Sequence, residues 1–130
     1  PIDKIASGGE LARFLLALKV VLSANEPPKT LIFDEVDSGV GGAVAAAVGA
    51  RLARLGKKMQ TLVITHSPQV ASNGDHHLKI EKYQSGEQML SNTVGLSENE
   101  RLEEIARMLA GDEITEAARS AAAQLLKGDR

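Results

Sequence analysis

The chain has 130 residues, of which 43% are hydrophobic and 25% charged, a balance typical of one globular domain and not of a disordered segment. Cysteine is absent and the formal net charge is -2, which excludes a disulfide framework, a thiolate zinc site and a strongly basic nucleic-acid clamp. Aromatic residues make up only 2%, which argues against a base-stacking platform, and no apolar run approaches the roughly 18 residues that a membrane span needs.

The first predicted element is a helix over residues 7–24, which ends at the Asn25-Glu26-Pro27-Pro28 stretch. Two short apolar runs, residues 30–33 and 61–64, predict strands. Neither run shows the polar alternation of a half-exposed strand, so we expect parallel strands that are covered on both faces. An alanine-rich helix lies between them, and its apolar residues are Val44, Val48, Leu52 and Leu55.

Strand, helix and strand in this order predict a βαβ unit. Residues 77–84 and 88–95 then predict an antiparallel hairpin at the edge of the sheet. Two helices are predicted to close the chain. The first begins at Ser97, which has capping-box spacing to Glu100. The second carries the apolar residues Ile114, Ala117, Ala118, Ala121 and Leu125.

Four small or polar residues stand at the head of the first predicted helix, namely Ser7, Gly8, Gly9 and Glu10. Glycines let the backbone approach a ligand closely, and a helix N-terminus offers free N–H groups to an anion. Ser7 and Glu10 also have the spacing of a capping box, which needs no ligand. Each glycine disfavours the helix by about 1 kcal/mol, so phosphate binding stays open beside the purely structural interpretation.

Two acidic residues, Asp34 and Glu35, follow the first predicted strand directly. Ligands of open α/β sheets bind beyond the carboxyl ends of the strands. In such a place one carboxylate can hold Mg²⁺ while the next orients and deprotonates a water molecule. Asp34 fits the metal role. Acids at a strand end also occur as a solvated turn, and that alternative remains open at this point.

His66 follows the second predicted strand. A histidine in this position is more often structural than catalytic. Neighbouring parallel strands, however, lie about 5 Å apart. If the two predicted strands are neighbours, His66 can reach the region that Asp34 and Glu35 address.

Two further motifs carry weaker signals. The glycine-rich turn that begins Asp37-Ser38-Gly39 can contact a phosphate or a partner subunit, or serve only as a connection. Asp75, His76 and His77 contain metal-ligand residue types, but adjacent strand residues point to opposite faces, which disfavours a metal site there.

Four stretches in order carry a family resemblance: KIASGGELAR (residues 4–13), FDEVDSGVGG (33–42), THSPQVA (65–71) and RLEEIARMLAG (101–111). The set resembles the second half of an ABC-type ATPase head, with signature motif, Walker B, D-loop and H-loop. Within that superfamily the motif sequences resemble those of the RecN family, the SMC-like ATPases of bacterial DNA double-strand-break repair and recombination. The D-loop has the sequence Ser-Gly-Val-Gly in place of the usual Ser-Ala-Leu-Asp. This difference argues against a transporter subunit.

The resemblance implies ATP hydrolysis at a composite site between two heads. Asp34 would help to hold Mg²⁺, Glu35 would polarise the attacking water, and His66 would contact the γ-phosphate. The signature residues would meet the nucleotide of the opposite head in trans, and the D-loop would lie at the interface of the dimer. The signature residues are Ser7, Gly8, Gly9 and Glu10, and the D-loop residues are Asp37, Ser38 and Gly39.

The chain contains no Walker A loop of the form G-x-x-x-x-G-K-[ST] and no sustained heptad pattern. We therefore expect residues 1–130 to form the C-terminal half of a split head, inactive alone. The expected fold class is α/β, a partial P-loop NTPase head with a parallel βαβ core, an edge hairpin and two C-terminal helices. The resemblance implies ATP and Mg²⁺ as cofactors. It also implies an N-terminal Walker A half, a second head and DNA as partners, no membrane, and a place in the bacterial cytoplasm at the nucleoid.

Three alternatives remain open from the residues. The chain can be half of another ABC-type ATPase, either an SMC-like protein or a transporter, or it can be a non-enzymatic half-head used only for docking. The third alternative is a metal nuclease or Toprim-like fold built on the acids at positions 34, 35 and 37. Toprim sites use Asp-x-Asp, whereas the spacing here is Asp-x-x-Asp, and this alternative leaves the glycine-rich signature unexplained.

Overall fold

The computed structural model describes Leu18 and residues 29–128. The predicted helix over residues 7–24 lies outside the described residues, apart from Leu18. In chain order, the helices and strands are β1 (Thr30–Asp34), α1 (Gly42–Gly56), β2 (Gln60–Ile64), α2 (Pro68–Ala71), β3 (Leu78–Ser85), β4 (Gln88–Gly95), α3 (Glu98–Ala110) and α4 (Glu116–Lys127). The predicted βαβ unit, hairpin and two closing helices are confirmed.

The βαβ unit forms because β1 and β2 pair in parallel and α1 crosses between them. The register runs from Thr30 opposite Gln60 to Asp34 opposite Ile64. α1 covers one face of this two-stranded sheet with its apolar stripe. The buried core of the unit consists of Phe33, Ala45, Val48, Leu52 and Val70. The carboxyl ends of both strands are thereby held side by side.

The other face of the parallel sheet is open in the part of the chain that the structure describes. Ile32 is 65% exposed, and Leu62 and Ile64 are exposed as well. These residues alternate with the covered ones along each strand, as side chains of a strand point to opposite faces in turn. Among residues 29–128, the expected cover is therefore present on one face only.

The hairpin is joined by a two-residue turn, because Ser85 pairs with Gln88. Gly86 occupies that turn with a φ of 62°, a left-handed conformation that glycine adopts without steric cost. Among the described residues β3 and β4 form a second sheet of their own and do not extend β1 and β2. α2 and the turn after it separate the hairpin from β2 along the chain, and Lys79 of β3 forms an ion pair with Glu104 of α3.

α3 and α4 pack against each other around mostly small residues. The predicted capping box is present, since Ser97 accepts from the Glu100 N–H and Glu100 accepts from the Ser97 N–H. Thr115 caps α4 in the same manner by accepting from the Ala118 N–H. The buried cluster between the two helices consists of Ile105, Ala106, Ala118 and Ala122. No helix within residues 29–128 is long and apolar enough to cross a membrane.

An ionic junction joins α3 to the hairpin. The buried Glu104 carboxylate accepts from Arg107 at 2.6 and 3.0 Å and pairs with Lys79 of β3 at 3.2 Å. The Arg107 hydrogen bonds, with help from Lys79, hold the pKa of Glu104 below its usual value despite burial. His77, at the root of the hairpin, has its pKa lowered by burial and by the nearby Arg101 cation.

We expect Glu104→Gln to lower the free energy of unfolding by about 1–2 kcal/mol at neutral pH, because two cations lose their shared acceptor charge. A carboxylate with a depressed pKa stabilises the fold fully above its unfolded value of 4.5, and this contribution disappears as pH falls through the folded value. Unfolding midpoints of both proteins between pH 7 and 3 check this. The difference between the two unfolding midpoints should disappear in acid. A difference that stays constant contradicts a stabilising charge on Glu104.

Candidate functional site

Two chain reversals meet at the carboxyl ends of β1 and β2. The Glu35 N–H donates to the Ile64 carbonyl at 2.9 Å, which extends the parallel pairing by one bond beyond β1. The residues that follow each strand therefore lie next to each other. In open α/β sheets this edge is where ligands bind.

Glu35 and His66 face each other across this edge. The His66 Nε2 lies 3.3 Å from the Glu35 Oε1, and the two side chains are 87% and 53% exposed. They border an open cavity of about 260 Å³, and the residues lining it are Glu35, Asp37, Ser38, Gly39, His66 and Ser67. A carboxylate and an imidazole in contact, both open to solvent, can accept a proton from a bound water and donate a hydrogen bond to an anion.

The backbone of Glu35 is left-handed, with a φ of 49°. A non-glycine residue in this conformation costs about 1–2 kcal/mol, and such positions concentrate at functional sites. The bonds on either side hold it there, because its N–H donates to Ile64 and its carbonyl accepts from the Ser38 N–H at 3.1 Å. With its backbone in this conformation, Glu35 places its carboxylate in contact with His66.

Asp37 faces inward, in contrast to its neighbours in the turn. It is only 8% exposed, and its carboxylate accepts a hydrogen bond from the Thr65 hydroxyl. The same Thr65 oxygen accepts from the Ser67 N–H at 2.9 Å. Ser38 and Gly39 are exposed and line the cavity. Sequence reasoning missed Thr65 and Ser67, although both sit directly beside His66 in the quoted THSPQVA stretch.

Asp34 is exposed at the end of β1 but does not line this cavity. It shares the open face of the sheet with Ile32, because Phe33 between them points into the core. No group of three or more metal-ligand side chains occurs within residues 29–128, and Asp75, His76 and His77 form none. One carboxylate still fits Mg²⁺ of a nucleotide site, where phosphates and waters supply most ligands. Ser7, Gly8, Gly9 and Glu10 lie outside the described residues.

Comparison with known proteins gives one consistent answer. The chain is 48% identical over its whole length to the DNA repair protein RecN of Streptomyces coelicolor and covers 23% of that protein. It is 51% identical to RecN of Rickettsia felis over 96% of the chain, and 48% identical to RecN of Deinococcus radiodurans over 98%. The chain resembles RecN throughout.

The match to RecN confirms the resemblance expected from the sequence motifs. The chain spans less than a quarter of the length of these curated RecN relatives, at 23% of the first of them. No family model matches the chain.

A solved structure supports the fold independently. The chain aligns with a TM-score of 0.61 over 82% of its length, and over 64% of the other chain, to a structure described as "Structural biochemistry of ATP-driven dimerization and DNA stimulated activation of SMC ATPases". The two sequences are 23% identical, so the likeness concerns the fold alone. The expected fold class, α/β with the partial fold of a P-loop NTPase head, is thereby confirmed.

Proposed function

We propose that this chain is the C-terminal half of an ATP-hydrolysing, SMC-like head that acts in DNA double-strand-break repair and recombination. The observation that carries the proposal is the contact of 3.3 Å between Glu35 and His66 at the ends of adjacent parallel strands. That contact occurs in a chain that is similar to RecN from end to end. The left-handed conformation of Glu35 supports the proposal, because such non-glycine residues cluster at functional sites.

In this mechanism Glu35 accepts the proton of the water that attacks the γ-phosphate, since its carboxylate is exposed beside the cavity. His66, which lies beside Glu35, donates a hydrogen bond to a γ-phosphate oxygen. Asp34, at the tip of β1, would hold Mg²⁺ together with the phosphates. The ion would neutralise the charge that develops on the phosphate oxygens.

A second head completes the site. Ser7, Gly8, Gly9 and Glu10 meet the γ-phosphate of the nucleotide bound to the opposite head, as the resemblance implies. Groups supplied in trans accelerate phosphoryl transfer by about 10³–10⁵ in other systems. Ser38 and Gly39 are exposed beside the cavity and suit the dimer interface, whereas Asp37 supports that turn from inside.

The missing phosphate loop belongs to an N-terminal half of the same protein. The open sheet face with Ile32, Leu62 and Ile64 is the apolar surface on which such a half can pack. We call the chain joined to this half the assembled head. DNA as a partner, and a location at the bacterial nucleoid, rest on the similarity to RecN and not on the charge of the described surface.

The proposal is tested by measuring phosphate release from ATP with this chain alone and with the assembled head. We expect this chain alone to release no phosphate from ATP and to bind ATP far more weakly than micromolar, because it lacks a Walker A loop. Mixing it with a matching Walker A half should restore phosphate release. The matched control is the same mixture with a Walker A lysine variant. If the two halves bind each other but release no phosphate, the chain is a non-enzymatic half-head used for docking. Micromolar ATP binding by this chain alone contradicts the site assignment.

A further inference from the structure

Few side-chain contacts within the described residues hold the His66 imidazole in place. Its side chain is 87% exposed, and its contact within the described residues is with Glu35. The residue belongs to neither neighbouring element, because β2 ends at Ile64 and α2 begins at Pro68. The direction of the ring is therefore set by the backbone of the three residues between these elements.

One hydroxyl group braces that backbone on both sides of His66. The Thr65 oxygen accepts from the Ser67 N–H at 2.9 Å, which closes a turn around His66. The Thr65 hydroxyl proton is donated to the Asp37 carboxylate. Asp37 is itself almost fully buried. The chain of bonds thus ties the turn that carries His66 to the turn that follows Glu35.

The far end of this segment is held as well. The Ser67 hydroxyl donates to the Gln69 side chain at 2.9 Å, and Arg101 of α3 donates to the Ala71 and Ser72 carbonyls at 3.2 and 3.0 Å. α2 is consequently fixed to the helical pair behind it. The Thr65 hydroxyl is then the link through which the position of His66 is set relative to Glu35.

We propose that Thr65, anchored by Asp37, is a positioning residue that holds His66 in the orientation required for ATP hydrolysis. This inference rests on the proposed function. Thr65 touches neither nucleotide nor water in this scheme and acts only through His66. Asp37 thereby has a function inside its own head, in addition to the interface to which its turn belongs.

The test uses the full-length protein and five variants. They are Thr65→Val, which keeps the shape and removes the hydroxyl, the conservative Thr65→Ser, Thr65→Ala, His66→Ala and the double variant Thr65→Val/His66→Ala. We expect Thr65→Val to lower kcat by roughly 10- to 100-fold, the scale of a small misplacement of a catalytic group, with the KM for ATP little changed. Thr65→Ser should restore most of the turnover, because it keeps the bridging oxygen.

The decisive comparison is made in the His66→Ala background. If Thr65 acts only through His66, adding Thr65→Val to His66→Ala causes no further loss of kcat. The inference is overturned by full turnover of Thr65→Val, by equal defects in Thr65→Ser and Thr65→Val, or by the same loss with and without His66. Should Thr65→Val not fold, the smaller Thr65→Ala takes its place with the same outcomes.

The same experiment separates this inference from the function on which it rests. Wild-type turnover of His66→Ala contradicts the proposed function of His66 itself. A slow His66→Ala beside a fast Thr65→Val contradicts only the positioning of His66 by Thr65.

Discussion

Replacing Glu35 by glutamine in the full-length protein is expected to lower ATP turnover by at least about 100-fold, the usual contribution of a general base. The amide has the shape of the carboxylate and can still contact His66, but it cannot accept the proton of the attacking water. Binding of ATP and ATP-dependent pairing of two heads should persist. The variant should therefore accumulate as a nucleotide-bound dimer.

Phosphate release and light scattering with and without ATP measure the two properties separately. Glu87→Gln is the matched control, since Glu87 is an exposed acid in the hairpin turn, far from the end of β2 along the chain. Normal turnover of Glu35→Gln contradicts the base assignment. A slow variant that also fails to dimerise contradicts the separation of hydrolysis from ATP-driven pairing.

The convergence of Glu35 and His66 followed from the sequence because it depends on regular structure. Apolar runs ending at acids and at a histidine, with a helical pattern between them, indicated two parallel strands whose tips coincide. The observed register ends with Asp34 opposite Ile64, so the residues after each strand are neighbours. Apolar runs and helical patterns determine such features, and both can be recognised in a single sequence.

The left-handed Glu35 and the inward Asp37 could not be predicted in the same way. Both arise in irregular turns, where single hydrogen bonds decide the direction of a side chain. Asp37 pairs with Thr65 across 28 positions of sequence, a contact for which neither residue carries a local signal. The separate sheet of the hairpin and the ion pair of Lys79 with Glu104 are likewise tertiary features, which strand patterns do not encode.

At Gly49 the two helices α1 and α2 approach each other closely, a constraint that the sequence pattern does not show. The predicted helix contained it as one small residue among many, yet α1 packs on α2 directly over this position. A Cβ at Gly49 would lie 2.9 Å from the Gln69 carbonyl oxygen and 3.1 Å from the Val70 Cα. Both are backbone atoms, which cannot move aside as a flexible side chain can.

We expect Gly49→Val to lower the free energy of unfolding of the assembled head by about 3 kcal/mol, because forcing a side chain into closely packed backbone costs more than helix propensity returns. Gly56→Val is the matched control. Gly56 ends the same helix with nothing within 4 Å of its Cβ position, so its substitution should change stability by less than about 0.5 kcal/mol. Urea unfolding of both variants measures the difference.

The cost at Gly49 extends to the chemistry of the site. α2 begins at Pro68, two residues after His66, so pushing α2 off α1 displaces the turn that carries the imidazole. Gly49→Val should therefore lose turnover even at temperatures where it remains folded, whereas Gly56→Val should not. Equal stability losses at the two glycines contradict close helix approach as the reason for Gly49. A folded Gly49→Val with normal turnover shows instead that α2 does not control His66.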